Sequence, residues 1–115
     1  MASGMKELNL EHGMPTVDTA LRWLESELDA ARKMRRPALK LIHGYGSSGR
    51  GGKIRTACRK YLREQAESGR IRLVIRGEDF SIFSEVTRQS FILCGELRHD
   101  RDLDRENRGV TFVVF

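Results

Sequence analysis

A glycine-rich segment stands near the middle of the chain, directly after a short apolar run. Residues 43–52 read His-Gly-Tyr-Gly-Ser-Ser-Gly-Arg-Gly-Gly. Glycines have no Cβ, so successive backbone N–H groups can turn toward one concavity, which suits an anion. If a helix begins after them, its unbonded N–H groups and partial positive charge also attract phosphate. The segment therefore predicts either a plain flexible connector or, as we favour, a phosphate-binding loop with these backbone ligands: Gly44, Tyr45, Gly46, Gly49 and Gly52.

Basic residues continue from this loop along the next predicted helix. No acidic residue interrupts the set, which consists of Arg50, Lys53, Arg55, Arg59, Lys60 and Arg63. A helix face with charges of one sign repels itself unless a polyanion neutralises it. We therefore expect contacts with the phosphates of a nucleic acid. The ring of Tyr45 either stacks on a base or ribose or packs the loop against the edge of the sheet.

Three polar residues could carry out acid–base chemistry beside the loop. His43 ends the apolar run, where it could donate to a phosphate oxygen or act as a general acid or base near neutral pH. The alternative for His43 is a structural role, with its ring bonded to nearby backbone. Glu11 and His12 follow the first predicted strand and would form a second wall of the same site. Glu11 with His43 is the acid–base pair that we consider for hydrolysis.

Apolar periodicity predicts the elements that position these residues. Alternation over residues 6–11 indicates a strand, and an apolar stripe from Val17 to Ala31 indicates a helix that Thr16 caps and Pro37 ends. The remaining predicted elements are strands at residues 38–42, 71–75 and 109–115 and helices at about residues 53–67 and 84–93. The alternation of strands and helices predicts an α/β fold with crossovers onto a mixed, mainly parallel four-stranded sheet.

A length of 115 residues fits one domain. Residues 1–5 are expected to form a flexible leader and residues 6–115 a single domain. A surface insertion at about residues 77–108 is predicted before the last strand, because residues 98–108 look too charged to bury.

Composition excludes several classes of protein. No apolar run approaches the roughly 20 residues that span a bilayer, and the N-terminus lacks the apolar segment of a signal peptide, so a cytoplasmic protein without a membrane partner is expected. Cys58 and Cys94 are far apart and the histidines lack zinc-site spacing, so we expect no disulfide and no structural metal. No cofactor is predicted, and a divalent metal ion stays open. The net charge of +5 is concentrated in residues 1–76, where basic residues are twice as numerous as acidic ones.

Three segments resemble, in order, the motifs of the Smr (small MutS-related) domain family. Residues 8–20 resemble its opening LDLHG-x-TVEEA segment, residues 40–55 its HGxG–LR loop and helix start, and residues 107–115 its closing G-x-T-x-V-x strand. The resemblance covers nearly the whole chain and implies a two-layer βαβαββ sandwich, similar to the C-terminal domain of bacterial translation initiation factor three. It also implies binding of branched DNA or structured RNA and, in several members, a DNA-nicking or RNA-cleaving endonuclease activity.

The sequence departs from that family pattern at a position that matters for hydrolysis. Asn9 stands where the family has an acidic residue, and the motif histidine aligns with Glu11, or with His12 after a one-residue gap. Because an amide cannot act as a carboxylate base, two functions stay open: an endonuclease, or a catalytically inactive RNA- or ribosome-binding module. A third is nucleotide or dinucleotide binding, since residues 44–49 fit GxGxxG and Glu78 and Asp79 follow the next strand. The choice between DNA and RNA and the oligomeric state are left open.

Overall fold

The structure, a computed structural model, describes residues 4–45 and 50–115, with the side chains of residues 50 and 51 excepted. Four strands form one sheet within these residues: β1 (Lys6–Asn9), β2 (Ala38–Ile42), β3 (Leu73–Arg76) and β4 (Val110–Val114). The helices are α1 (Val17–Lys33), α2 (Arg50–Glu67) and α3 (Glu85–Leu93), with 3₁₀ turns at Gly77–Asp79 and Gly95–His99.

The strands of the sheet lie in the order β1-β2-β4-β3. β1 pairs in parallel with β2, whereas β4 pairs antiparallel with both β2 and β3. β1, β2 and β3 therefore run in one direction, and the last strand enters the centre of the sheet in the other. All five residues of β4 are buried, as expected for a central strand that is covered on both faces. The predicted α/β fold with a mixed four-stranded sheet is confirmed, and in this part of the chain its parallel pairing is confined to β1 and β2.

Helices α1 and α2 cover one face of the sheet. The Thr16 hydroxyl caps α1 by accepting a hydrogen bond from the N–H of Thr19 at 3.2 Å, and Asp18 in the first turn suits the helix dipole. The core side of both helices is at most 3% exposed and consists of Ala20, Leu24, Leu28, Ala31, Ile54, Cys58 and Leu62. Burial raises the pKa of the Cys58 thiol to about 12, so this cysteine serves as a core residue. Of the helices that the structure describes, none is both long and apolar enough to cross a bilayer.

The chain between β3 and β4 covers the other face. The ring of Phe80 packs on Phe112 of β4 with centroids 4.1 Å apart, and Phe91 meets Phe80 edge-on at 6.2 Å. Phe80, Cys94 and Leu97 are buried in the same cluster. The segment predicted as a surface insertion therefore also supplies buried residues to the core on this face of the sheet. Its apolar residues are separated by charged ones that face solvent, and this mixture hid the buried side in the sequence.

The prediction that residues 98–108 are too charged to bury is wrong for Asp102, which is 8% exposed. Its Oδ2 lies 2.6 Å from Nζ of Lys40, and Oδ1 of Asp100 lies 3.0 Å from the same nitrogen. Lys40 is on β2 and is fully buried, with Nζ 5.5 Å from the centre of the Phe112 ring. Two carboxylates and an aromatic face offset the lost hydration of the ammonium group. These contacts tie the segment before β4 to the centre of the sheet.

Candidate functional site

The predicted phosphate-binding loop leaves the sheet at the carboxyl end of β2, beside the start of β4. The N–H groups of His43 and Gly44 both donate to the carbonyl of Gly109, at 2.9 and 3.1 Å. The N–H of Leu10, just after β1, donates to the carbonyl of Ile42 at 2.7 Å. Gly44 has a φ of 73°, a left-handed conformation that favours glycine. The loop therefore starts from a fixed position where β1 and β2 end.

Part of the predicted loop lies outside the described residues. This applies to Gly46 and Gly49 and to the side chain of Arg50, so their phosphate contacts stay predictions. Helix α2 begins at Arg50, earlier than the predicted start at about residue 53. Gly52 accordingly lies in the first turn of α2, where backbone N–H groups have no partner within the helix. Such N–H groups are the kind of donor that an anion requires.

His43 is fully buried and bonded at both ring nitrogens. Nδ1 lies 2.7 Å from the carbonyl oxygen of Gly44, so it must carry the proton and donate. Nε2 then accepts from the hydroxyl of Thr111, 2.8 Å away. Burial lowers the pKa of His43 to about 4, with the charges of Arg59 and Arg55 lowering it further and the bond to Gly44 opposing them. The imidazole is therefore neutral at pH 7 and faces the protein interior.

Arg59 is engaged inside the protein. Its two terminal nitrogens donate to the two carboxylate oxygens of Glu78 at 2.9 and 2.7 Å, and its Nε donates to Thr111 Oγ1 at 3.1 Å. A further bond reaches the carbonyl of Val110 at 3.2 Å. Desolvation would raise the pKa of Glu78, but the hydrogen bonds and charge of Arg59 outweigh it and lower that pKa. The guanidinium predicted to contact phosphate is thus held by neighbours in the fold.

These bonds form one polar chain, which we call the His43 chain: His43, Thr111, Arg59 and Glu78. It links the end of β3 to the start of the glycine loop through β4. Thr111 was not predicted to belong to the site, and Glu78 was predicted only as a possible ribose ligand. The available signal was a hydroxyl residue inside the otherwise apolar strand Val110–Val114.

Glu11 lies next to the loop, whereas His12 is exposed without a bond to it in the described structure. The Glu11 carboxylate packs so closely on Gly44 that a Cβ at that position would clash with it. No hydrogen bond joins Glu11 to His43 among the residues described, because the imidazole faces Thr111. The side chain of Asn9 accepts the N–H of Glu11 at 2.9 Å and stabilises the turn after β1. The structure therefore brings one carboxylate, but not the predicted acid–base pair, to the loop.

The exposed cations of α2 form a separate surface, the α2 basic face, made of Lys53, Lys60 and Arg63. Lys53 and Lys60 are two helical turns apart and share one side of the helix, and Arg63 lies close to that side. The face extends on the order of 15 Å along the helix axis. None of the three forms an ion pair with an acid in the described portion of the chain. Arg55 is half-buried and lies close enough to His43 for its charge to lower the pKa of that imidazole.

A surface groove of about 700 Å³ lies beside the start of the loop. Its lining includes Tyr45, which is 58% exposed, and three arginines before β4: Arg101, Arg105 and Arg108. Tyr45 was predicted to belong to a nucleic-acid site, but the arginines were not, because the sequence of their segment indicated a plain surface connection. Their recurrence at every third or fourth position was the signal that could have found them.

A divalent metal ion has no evident protein site in the described residues. Residues 4–45 and 50–115 contain no group of three or more His, Cys, Asp or Glu side chains that could hold one. Asp100 and Asp102, the nearest approach to such a cluster beside the groove, are both bonded to Lys40.

Comparisons with known proteins agree with this architecture. A family model described as the Smr domain matches residues 8–78. The crystal structure of the Smr domain of Thermus thermophilus MutS2 is similar, with a TM-score of 0.57 and 26% sequence identity, over 95% of this chain and 95% of that chain. The sequence matches no curated protein. The family match ends at Glu78, before the segment that supplies the arginines of the groove.

Proposed function

Because this chain belongs to the Smr domain family, we propose that it binds nucleic acid through the phosphate backbone. The proposed contact surface is the α2 basic face together with the glycine loop and the first turn of α2. The observation that carries the proposal is the row of exposed cations that form no ion pair among the described residues, on the same helix as the internally paired Arg59. Such a row is stabilised when phosphates neutralise it, because counterions are released from the nucleic acid.

The residues of the site divide into two roles. Gly44, Gly52, Lys53, Arg55, Lys60 and Arg63 are proposed to contact phosphate, as are Gly46, Gly49 and Arg50. Arg59 and His43 are positioning residues in this proposal, since their polar atoms bond to Glu78, Thr111 and Gly44 instead. Their bonds hold the start of the loop against β4, which fixes the direction in which its backbone departs.

Phosphate contacts carry no base information, so this surface is expected to accept the backbones of both branched DNA and structured RNA. The test measures affinity for a labelled four-way DNA junction and a labelled RNA stem-loop at low salt. Lys53→Glu with Lys60→Glu should weaken both by about tenfold or more, because two favourable charges become repulsive. The matched control is Arg22→Glu with Lys33→Glu on α1, which makes the same change in net charge on the other helix.

An equal loss of affinity in the control pair would show that only net charge matters and would contradict the proposed surface. Unchanged affinity in the α2 pair would remove the proposal altogether. Thermal unfolding of both variants checks that neither loses its fold, which is expected because all four side chains are exposed.

Strand cleavage is a second candidate, and the Glu11 carboxylate beside Gly44 is the observation that favours it. A carboxylate there could activate water against a phosphate held by the loop. Supercoiled plasmid and the RNA stem-loop are incubated with wild type, Glu11→Gln and His43→Ala, with and without Mg²⁺. Cleavage lost in Glu11→Gln while binding persists supports an endonuclease. Binding without cleavage by the wild type supports the inactive binding module.

Dinucleotide binding through residues 44–49 has less support. The two acids that could hold a ribose are paired, Glu78 with Arg59 at 2.7 Å and Asp79 with Arg76 at 2.7 Å. Calorimetry with NAD and ATP should give no heat of binding at millimolar concentration, and a measurable affinity would revive this hypothesis.

A further inference from the structure

The groove beside the loop combines an aromatic platform with cations. The Tyr45 ring approaches Gly109 so closely that a Cβ there would lie 3.4 Å from Cδ1, so one part of the ring rests on the start of β4. The residue as a whole is nevertheless 58% exposed. An aromatic ring that is supported on one side and open on the other is the usual platform for stacking a base.

The charge available in the groove is positive. Arg105 and Arg108 are exposed, and neither guanidinium has a hydrogen bond or an ion pair with any residue in the described ranges. Within the part of the chain that the structure describes, Arg101 has a single surface pair, with Glu7 at 3.1 Å, and its side chain is 71% exposed. Such surface pairs contribute little and exchange readily for a phosphate. The guanidinium groups of Arg105 and Arg108 can therefore turn toward an anion in the groove, and that of Arg101 can do so by exchanging Glu7 for it.

The acidic residue in the floor of the groove does not cancel this charge. Asp102 lies 2.6 Å from Nζ of the buried Lys40, and its other oxygen accepts from Nδ2 of Asn107 at 2.9 Å. Desolvation would raise the pKa of Asp102, but the bonds from Lys40 and Asn107 outweigh it and lower that pKa. The carboxylate stays ionised, and the ammonium group of Lys40, which it shares with Asp100, offsets part of its charge. Glu106 is the remaining exposed acid in the lining.

The groove is also preorganised. Asn107 Oδ1 accepts the N–H of Gly109 at 2.8 Å, so the bonds from Lys40 run through Asp102 and Asn107 to the strand start that supports Tyr45. The N–H of Asp104 also donates to the Phe80 carbonyl at 2.9 Å, which anchors the arginine-bearing segment to the aromatic cluster of Phe80 and Phe112. A binding surface that is already ordered loses less entropy when a ligand binds.

We propose that this groove binds one unpaired nucleotide of a nucleic acid, with its base stacked on Tyr45 and its phosphates held by Arg105 and Arg108. A volume of about 700 Å³ is ample for one nucleotide. Within a duplex both faces of a base are covered by its neighbours, so an aromatic side chain can stack only on an unpaired one. The inference rests on the proposed function and adds to it: the α2 basic face holds backbone, and the groove selects places where a strand is unpaired, such as gaps, bulges and loops.

The experiment compares two labelled probes, a 20-nucleotide oligo-dT strand and a blunt 20-base-pair duplex, by fluorescence anisotropy at fixed salt. Tyr45→Ala should weaken binding of the single strand by about fivefold to 100-fold, the range for loss of one stacked base, and change duplex binding by less than about twofold. Tyr45→Phe keeps the ring and should recover most of the single-strand affinity. Arg105→Ala with Arg108→Ala should also weaken the single strand more than the duplex.

The controls remove an equivalent group elsewhere. Phe83→Ala deletes a ring that is 86% exposed outside the groove, and Arg22→Ala deletes an exposed guanidinium on α1. Neither should alter the preference for the single strand. Thermal unfolding monitors the fold of each variant.

The outcomes separate this inference from the proposed function. Duplex binding that is lost in Lys53→Glu with Lys60→Glu, combined with single-strand binding that Tyr45→Ala leaves unchanged, overturns the groove alone. A Tyr45→Ala variant that weakens both probes equally also overturns it. A wild type that binds neither probe overturns the proposed function and with it the groove.

Discussion

Arg59 and Lys60 are adjacent on α2 and carry the same charge, but they lie in different surroundings. Arg59 is 15% exposed in its side chain and bonds to Glu78, Thr111 and Val110, whereas Lys60 is exposed with no acidic partner in the residues described. A cation that has been desolvated must be fully bonded, and its bonds then fix the structure around it. A cation left in water keeps its bonding capacity for a ligand. Two basic residues at neighbouring positions therefore have different roles: one supports the fold, and the other is available to phosphate.

Lys40 is a fully buried cation, and its replacement is expected to lower the free energy of unfolding more than any other change proposed here. Lys40→Met would leave Asp100 and Asp102 buried without their cation, at a cost of about 4 kcal/mol in the free energy of unfolding. Urea unfolding measures the loss, or reveals that the variant does not fold. Adding Asp100→Asn and Asp102→Asn to Lys40→Met removes the uncompensated charges and should recover a large part of the stability. No recovery in the triple variant would show that lost packing, not charge, dominates.

The pair Arg59→Ala and Arg63→Ala tests the comparison on α2 itself. Arg59→Ala leaves Glu78 without its bidentate partner and should lower the free energy of unfolding by about 3 kcal/mol. Arg63→Ala, one turn further on and exposed, should change it by less than about 0.5 kcal/mol while weakening nucleic-acid binding. Urea unfolding and anisotropy are measured on both proteins. Equal stability losses would remove the distinction between interior and surface cations.

The free energy of unfolding should depend on pH because the pKa of His43 is lowered in the folded protein. The pKa of His43 is about 4 in the folded protein and about 6.5 when unfolded, so the unfolded chain takes up the proton first as the pH falls. The stabilisation is therefore complete above about pH 6.5, declines between pH 6.5 and 4, and is constant below that. Between pH 7 and pH 5 the titration of His43 should lower the free energy of unfolding by about 2 kcal/mol.

The matched variant for this pH effect is His43→Gln, which cannot titrate. Its urea midpoint should fall less than that of the wild type between pH 7 and pH 5, although its stability at pH 7 is lower. Parallel losses in the two proteins would mean that the folded-state pKa of His43 lies near its ordinary value.

Local signals were sufficient for most of the fold. The Thr16 cap, the apolar stripe of α1 and the apolar residues of β2 depend on neighbours within a few positions, and the structure has each of them as predicted. The α2 basic face was likewise visible in the sequence, because exposure follows from helical spacing.

The interior roles could not be predicted in the same way. Arg59 and Lys60 have the same local pattern, and what separates them is Glu78, 19 residues further along, and Thr111, 52 residues away. Lys40 meets Asp100 across 60 residues. The polarity of a charged residue indicates that it prefers water. It contains no information about a partner that lies far away in the sequence and comes close only in the fold. The arginines of the groove were not predicted because the segment that carries them forms no regular helix or strand. These are Arg101, Arg105 and Arg108.

The most direct test of the proposed surface is the salt dependence of binding to the four-way junction. The logarithm of Kd is plotted against the logarithm of the salt concentration for the wild type and for Lys53→Ala with Lys60→Ala and Arg63→Ala. Each exposed cation that contacts a phosphate contributes about one unit to the slope, so the triple variant should lose about three units. A slope identical to that of the wild type would show that the α2 basic face does not contact the nucleic acid.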